Sequence, residues 1–109
     1  MFIAMNQFQV NLDRTADFEN VWRSRESYVR GHKGFVQFAL LKGDEAGDYI
    51  SHTVWNSRED FIAWTQSDSF RLSHSNRTPE GIYVGHPRAR FYDAVIVEGA
   101  DAPVGAAAH

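Results

Sequence analysis

Three polar residues stand where the surrounding pattern asks for apolar ones. Asn6 falls in the segment Phe2–Val10, whose even positions are Phe2, Ala4, Asn6, Phe8 and Val10. All but Asn6 are apolar, so these positions read as the inward face of a strand with an amide at its middle. Burying an amide without partners is costly, so Asn6 is either bonded to a neighbouring loop or helix end or held for a ligand. Arg25 follows Phe18 by seven residues and precedes Val29 by four, on the inward stripe of an expected helix. Its cation either snorkels to the rim or meets an anionic ligand group, such as a carboxylate, at a pocket edge. His74 follows Phe70 by one helical turn and is either a surface or capping histidine or a metal ligand.

Other chemistry is easier to exclude. His32, His52, His86 and His109 form no HxxxH or HxH cluster, and there is no cysteine. Zinc held by side chains alone is therefore weakly supported, and disulfides, thiolate sites and cysteine nucleophiles are out. A single histidine is still enough for haem, where the porphyrin supplies the other four nitrogens. The chain has no GxSxG elbow, P-loop, GxGxxG or HExxH. Gly81 and Gly85 lack the spacing of a phosphate cradle, and the adjacent Glu59 and Asp60 read as partners of a helix dipole.

The elements that must position these residues follow from periodicity. After the first strand, Asn11–Thr15 offers candidate helix caps, with Asp17 and Glu19 suited to the positive end of the dipole. A helix is expected from about Thr15 to Arg30, its inward stripe Phe18, Val21, Trp22 and Val29, bracketed by Gly31 and Gly34. Phe35–Leu41 and Tyr49–Trp55 read as strands joined by the polar hairpin loop Lys42–Asp48. Ser57, followed three positions later by Asp60, is close to a capping box and predicts a short helix through Phe61, Ile62 and Trp64. A further helical stretch starts at Ser67 or Ser69 and reaches about His74. Asn76–Pro87 is a loop, Arg90–Val97 a last strand, and residues 99–109 a small-residue tail expected to be disordered.

The order β-α-β-β-α-β is the ferredoxin-like pattern, an α+β fold with helices on one face of an antiparallel sheet. Residues 1–98 form one domain. Val36, Phe38 and Leu40 alternate with Phe35, Ala39 and Leu41, so both faces of that strand are apolar, and a second subunit is the simplest cover for the face without helices. A homodimer closed into an α+β barrel is expected. The 109 residues suffice for a real core, and 14% aromatics suit a tight interior or a pocket for a flat ligand. A net charge of −3 with scattered basic residues argues against nucleic acid. No apolar run approaches a membrane span and no signal peptide is evident, so a cytoplasmic location is the expectation.

Taken together, Ile3-Ala4-Met5-Asn6-Gln7-Phe8, Arg25, Gly34-Phe35-Val36-Gln37-Phe38, Thr53-Val54-Trp55-Asn56-Ser57, the run Phe61–Phe70 and His74 carry a family likeness. The chain resembles the IsdG/IsdI-type haem-degrading monooxygenases, MhuD branch included, within the antibiotic-biosynthesis-monooxygenase superfamily of ferredoxin-like dimers. The Gly-Phe and Thr-x-Trp-x-Ser segments mark the wider group; Asn6, Trp64 and His74, the last two ten residues apart, are the specific part.

The resemblance implies that His74 is the axial ligand of haem iron and that Asn6 offers its amide N–H on the opposite face, toward the oxygen being activated. It implies that Trp64 presses on the macrocycle and ruffles it, with Trp22, Arg25 and Phe70 completing the pocket. Haem is then substrate and cofactor, O2 the oxidant and a separate reductase the electron donor; the products are iron and a biliverdin-like bilin. Two other readings stay open: a haem-independent oxygenase of polycyclic phenols or quinones on the same fold, which has no need of His74, and a haem carrier or sensor, which has no need of Asn6 and Trp64.

Overall fold

A computed structural model describes residues 1–25, 27–75 and 81–99, with backbone only at 73–75. The chain runs β1 (Phe2–Gln9), a 3-10 turn (Leu12–Arg14), α1 (Thr15–Ser24), β2 (Phe35–Lys42), β3 (Asp48–Trp55), α2 (Arg58–Thr65), α3 (Asp68–Ser75) and β4 (Arg88–Asp93). The four strands form one antiparallel sheet in the order β2-β3-β1-β4. This is the expected ferredoxin-like arrangement.

The register places Phe2 against Trp55, Asn6 against Ser51 and Phe8 against Tyr49, while Asn6 faces Ala89 on the other side. Because side chains alternate, Phe2, Ala4, Asn6 and Phe8 share one face with Tyr49, Ser51, Thr53 and Trp55. The core on that face is two clusters. Phe8, Val10, Phe18, Tyr49 and Ile82 form one, with Trp22, Leu40 and Tyr83 packed against it. Phe2, Ala4, Val29 and Trp55 form the other, with Phe35, Phe61 and Trp64. Asn6 lies on β1 between Ala4 of one and Phe8 of the other.

Local chemistry sets the helix ends. Ser57 caps α2, its hydroxyl accepting the Asp60 N–H at 3.1 Å, as the sequence suggested. Ser67 joins α2 to α3: its hydroxyl donates to the Trp64 carbonyl at 2.6 Å and accepts the Phe70 N–H at 3.2 Å. Gly34 has a φ of +82°, and a Cβ there would run into the Asp60 side chain. The expected caps in Asn11–Thr15 do not form. Neither Asn11 nor Arg14 makes a side-chain cap; Asn11 donates instead to the Gly81 carbonyl, and Arg14 pairs with Asp17 at 2.6 Å.

Two expected boundaries are corrected. The first helix stops at Ser24 rather than near Arg30, and Arg25 is already extended at φ −72°, ψ 151°. The Ser24 hydroxyl bonds back to the Asn20 carbonyl at 2.7 Å, which competes with continuation. Val29, the last residue of the supposed stripe, is buried in the Phe2–Trp55 cluster and not beside Phe18, so the chain must leave the helix to deliver it. The last strand is Arg88–Asp93 rather than Arg90–Val97. Its final rung is the Ala94 N–H to the Met1 carbonyl at 2.8 Å, where β1 runs out; beyond it Val95 and Ile96 are exposed. Of the expected tail, residues 100–109 lie outside the described residues.

On the opposite face, Ile3, Met5, Ile50 and Val54 are half-buried, and Leu41 and Tyr92 are 43% and 45% exposed. No described helix packs against them.

Candidate active site

Asn6 is half-buried at the centre of the helix-side face, with the two aromatic clusters on either side along β1. Among the described residues its side-chain amide makes no hydrogen bond, so two N–H donors and a carbonyl stand unused beside the buried Ser51, its cross-strand neighbour.

Trp22 and Arg25 come together at the end of α1. The Arg25 guanidinium lies 4.8 Å from the Trp22 ring centroid and 4.6 Å from that of Phe38, while Trp22 and Phe38 stack at 5.5 Å. Arg25 reaches this place from the extended segment after α1, not from a helix stripe. Burial lowers its guanidinium from the usual arginine value, with the like charge of Arg30 adding to the effect. The hollow they border measures about 360 Å³. A neighbouring one of about 300 Å³ is bordered by Trp22, Phe38, Glu19, Lys42 and Tyr49.

On the other side of Asn6, Trp64 and Phe70 meet edge to face at 4.8 Å, and Trp64 lies 5.5 Å from Trp55 and 6.4 Å from Phe61. Trp64 is thus fixed by aromatic contacts and by the Ser67 junction just after it. His74 lies on the last turn of α3, one turn beyond Phe70; its side chain is outside the described residues. The fold therefore builds a cation–aromatic pair, Trp22–Arg25, and an aromatic pair, Trp64–Phe70, beside the core clusters on either side of Asn6.

Some neighbours of this site were not singled out from the sequence. Phe38 was read only as a strand residue, and Ser27 and Arg30 belong to a segment taken as helix. The Glu19–Tyr49 pair was also missed. The Tyr49 hydroxyl donates to the Glu19 carboxylate, which also meets Arg23 at 2.9 Å and Lys42 at 3.5 Å. Accepting that bond holds Glu19 below its usual value, while burial and the same bond push the Tyr49 phenol up to about 12. An acid at position 19 looked sufficient as a dipole partner, which hid its cross-chain bond.

A family model for antibiotic biosynthesis monooxygenases matches residues 1–75. The chain belongs to the antibiotic biosynthesis monooxygenase family. Within it, a relative from Shouchella clausii named a heme-degrading monooxygenase is 35% identical over 72 residues, 63% of this chain and 67% of that protein. Matches to the first three relatives so named span 60% to 67% of their own lengths.

Solved structures agree on the fold. The heme-degrader MhuD from Mycobacterium tuberculosis, solved with two hemes in its active site, superposes with a TM-score of 0.73 at 22% identity, covering 91% of this chain and all of that one. SnoaB from Streptomyces nogalater, described as a cofactor-independent oxygenase, gives 0.64 at 18% identity over 93% and 97% of the two chains. The monooxygenase family and the ferredoxin-like fold thus stand as the residues suggested.

Proposed function

We propose that this chain is a haem-degrading monooxygenase that binds haem in the cleft over Asn6 and opens the porphyrin oxidatively, releasing iron and a bilin. The observation that carries this reading is the half-buried Asn6 amide, without a side-chain hydrogen bond among the described residues, set between two clusters rich in aromatic rings. A cleft for an apolar polycycle needs flat walls but no unsatisfied amide at its floor, whose desolvation it must bear. A carrier needs no such donor either. The residues present fit a flat, largely apolar, anionic group: rings on both sides, an amide beneath and the Arg25 cation at one edge.

Haem, when bound, supplies the iron at which oxygen is activated. The chain's own part is positioning. His74, on the last turn of a helix anchored through Ser67, would be the residue that holds the iron. Asn6 would offer a positioned N–H to oxygen activated there, since a preorganised donor stabilises negative charge without reorganising. Trp64, backed by Trp55 and Phe61, is stiff enough to press on a macrocycle rather than yield to it. The aromatic walls keep water off the reacting edge.

An external reductase supplies the electrons and O2 the oxygen. We place the protein in the cytoplasm as a homodimer, in which the apolar face carrying Ile3, Met5, Ile50 and Val54 is covered by a second copy. The test is a titration with hemin followed by aerobic reduction with ascorbate or a reductase. Binding of about one hemin per subunit with a histidine-type Soret band that then decays supports the reading. A protein that leaves the hemin spectrum unchanged overturns it.

A further inference from the structure

β3 brings three hydroxyls to the helix-side face of the sheet, those of Tyr49, Ser51 and Thr53. Two are engaged elsewhere. The Tyr49 hydroxyl donates to Glu19 on α1, and that of Thr53 to the Ala4 carbonyl at 3.2 Å. Ser51 is 8% exposed, yet among the described residues its hydroxyl makes no hydrogen bond. A buried strand position beside Tyr49 suits a β-branched or apolar side chain better than serine. A buried hydroxyl without a partner weakens the fold, so folding alone gives no reason for it.

The neighbours across the sheet point to its use. The rung runs from β2 to β4 through Leu40, Ser51, Asn6 and Ala89. Leu40 and Ala89 carry no polar side chain, which leaves Asn6 as the polar neighbour of Ser51 on this rung. The Asn6 amide is likewise without a hydrogen bond among the described residues. Side chains directly opposite on paired strands stand about 4.5–5.5 Å apart at Cβ. An O–H and an N–H at that spacing can both donate to one small acceptor. We propose that Ser51 is a second donor of the cleft, acting beside Asn6 on a small, negatively charged acceptor. This rests on the haem reading, in which that acceptor is the oxygen to be activated. Two donors on neighbouring strands share its charge and fix its place over β1 and β3, where a single donor would let it swing.

The test uses the protein loaded with ferric hemin, and fluoride as the probe, a small anion that accepts hydrogen bonds and alters the visible spectrum when it binds. Parent, Ser51→Ala, Ser51→Thr and Asn6→Ala are titrated with hemin and then with fluoride, and the thermal unfolding of each is followed without ligand. Ser51→Ala is expected to bind hemin as the parent does and to unfold no earlier. It should hold fluoride about tenfold more weakly, as for the loss of one hydrogen bond to a charged group. Ser51→Thr, which keeps the hydroxyl, should keep the fluoride affinity, and Asn6→Ala should lose it as Ser51→Ala does. Fluoride refused by the loaded parent, fluoride held equally well by Ser51→Ala, or a lower Tm in that variant overturns the role of Ser51 and leaves the haem reading standing. A parent that binds no hemin overturns both.

Discussion

Replacing Asn6 separates chemistry from folding, because the two should move in opposite directions. The amide is half-buried between Ala4 and Phe8 and has no side-chain partner among the described residues, so the fold bears part of its desolvation without return. A fully buried unsatisfied group costs roughly 1–3 kcal/mol, and partial exposure brings this to about 1 kcal/mol. Asn6→Leu, of similar shape, should therefore raise stability by about 1 kcal/mol, or Tm by roughly 4–8 °C for a domain of this size.

The same change, or Asn6→Ala, should lower the rate of ring opening by about 10²–10³-fold, the effect of removing one positioned donor to developing negative charge. Hemin affinity should fall little, because axial ligation and burial of the ring supply most of it. The assay is thermal unfolding without ligand, hemin titration, and Soret decay under ascorbate or a reductase. If Asn6→Leu lost 2 kcal/mol of stability or more, the amide would be a structural group and the reasoning wrong. Full turnover in either variant would refute its role toward oxygen.

His74→Ala should weaken hemin binding strongly and remove the histidine-type Soret band; an unchanged spectrum would displace the ligand assignment. Trp64→Ala should still bind haem but hold it flatter and turn it over more slowly, visible in resonance Raman and in Soret decay; an unaltered macrocycle would show that Trp64 serves packing alone. Tyr49 is pushed up to about 12 from an ordinary 10.0. Its neutral form is favoured by folding, so its contribution is full below about pH 10 and is lost as pH rises through 12. Glu19 is lowered, so its contribution is full above the ordinary carboxylate value of 4.5 and is lost as pH falls below it. Tyr49→Phe should cost about 1 kcal/mol at neutral pH and flatten the alkaline decline in Tm, and an unaltered alkaline limb would contradict the assignment. Sedimentation at micromolar concentration should show a dimer; a stable monomer would leave the apolar sheet face without the cover proposed for it.

The strands were legible because alternation is a local signal: even positions of β1 are apolar wherever the core needs them, and the amide at position 6 stands out against them. The capping serine at 57 was legible for the same reason, since its partner Asp60 is three residues away. The end of α1 was not. Val29 fits the helical stripe of Phe18 and Trp22 equally well on paper, but it is buried against Phe2 and Trp55, far away in sequence, which a helix running past Ser24 would not allow. Arg25 was thus placed on the wrong element, a helix stripe instead of the extended segment after α1. The length of β4 failed likewise, because the chain past Ala94 is apolar enough for a strand but has no further rung of β1 to pair with.

The division of the core carries a mechanical consequence. Phe18 and Phe61 belong to different clusters, and the strand between the clusters presents Asn6 rather than another apolar side chain. Side-chain packing then provides little cross-talk between the halves, and truncating Phe18 and Phe61 together should cost close to the sum of the separate losses, within about 0.5 kcal/mol. With two separate footings, one half of the cover can loosen while the other stays packed. Amides of α1 and α2 should then exchange with solvent as two independent groups, each slower than the segment that joins α1 to β2.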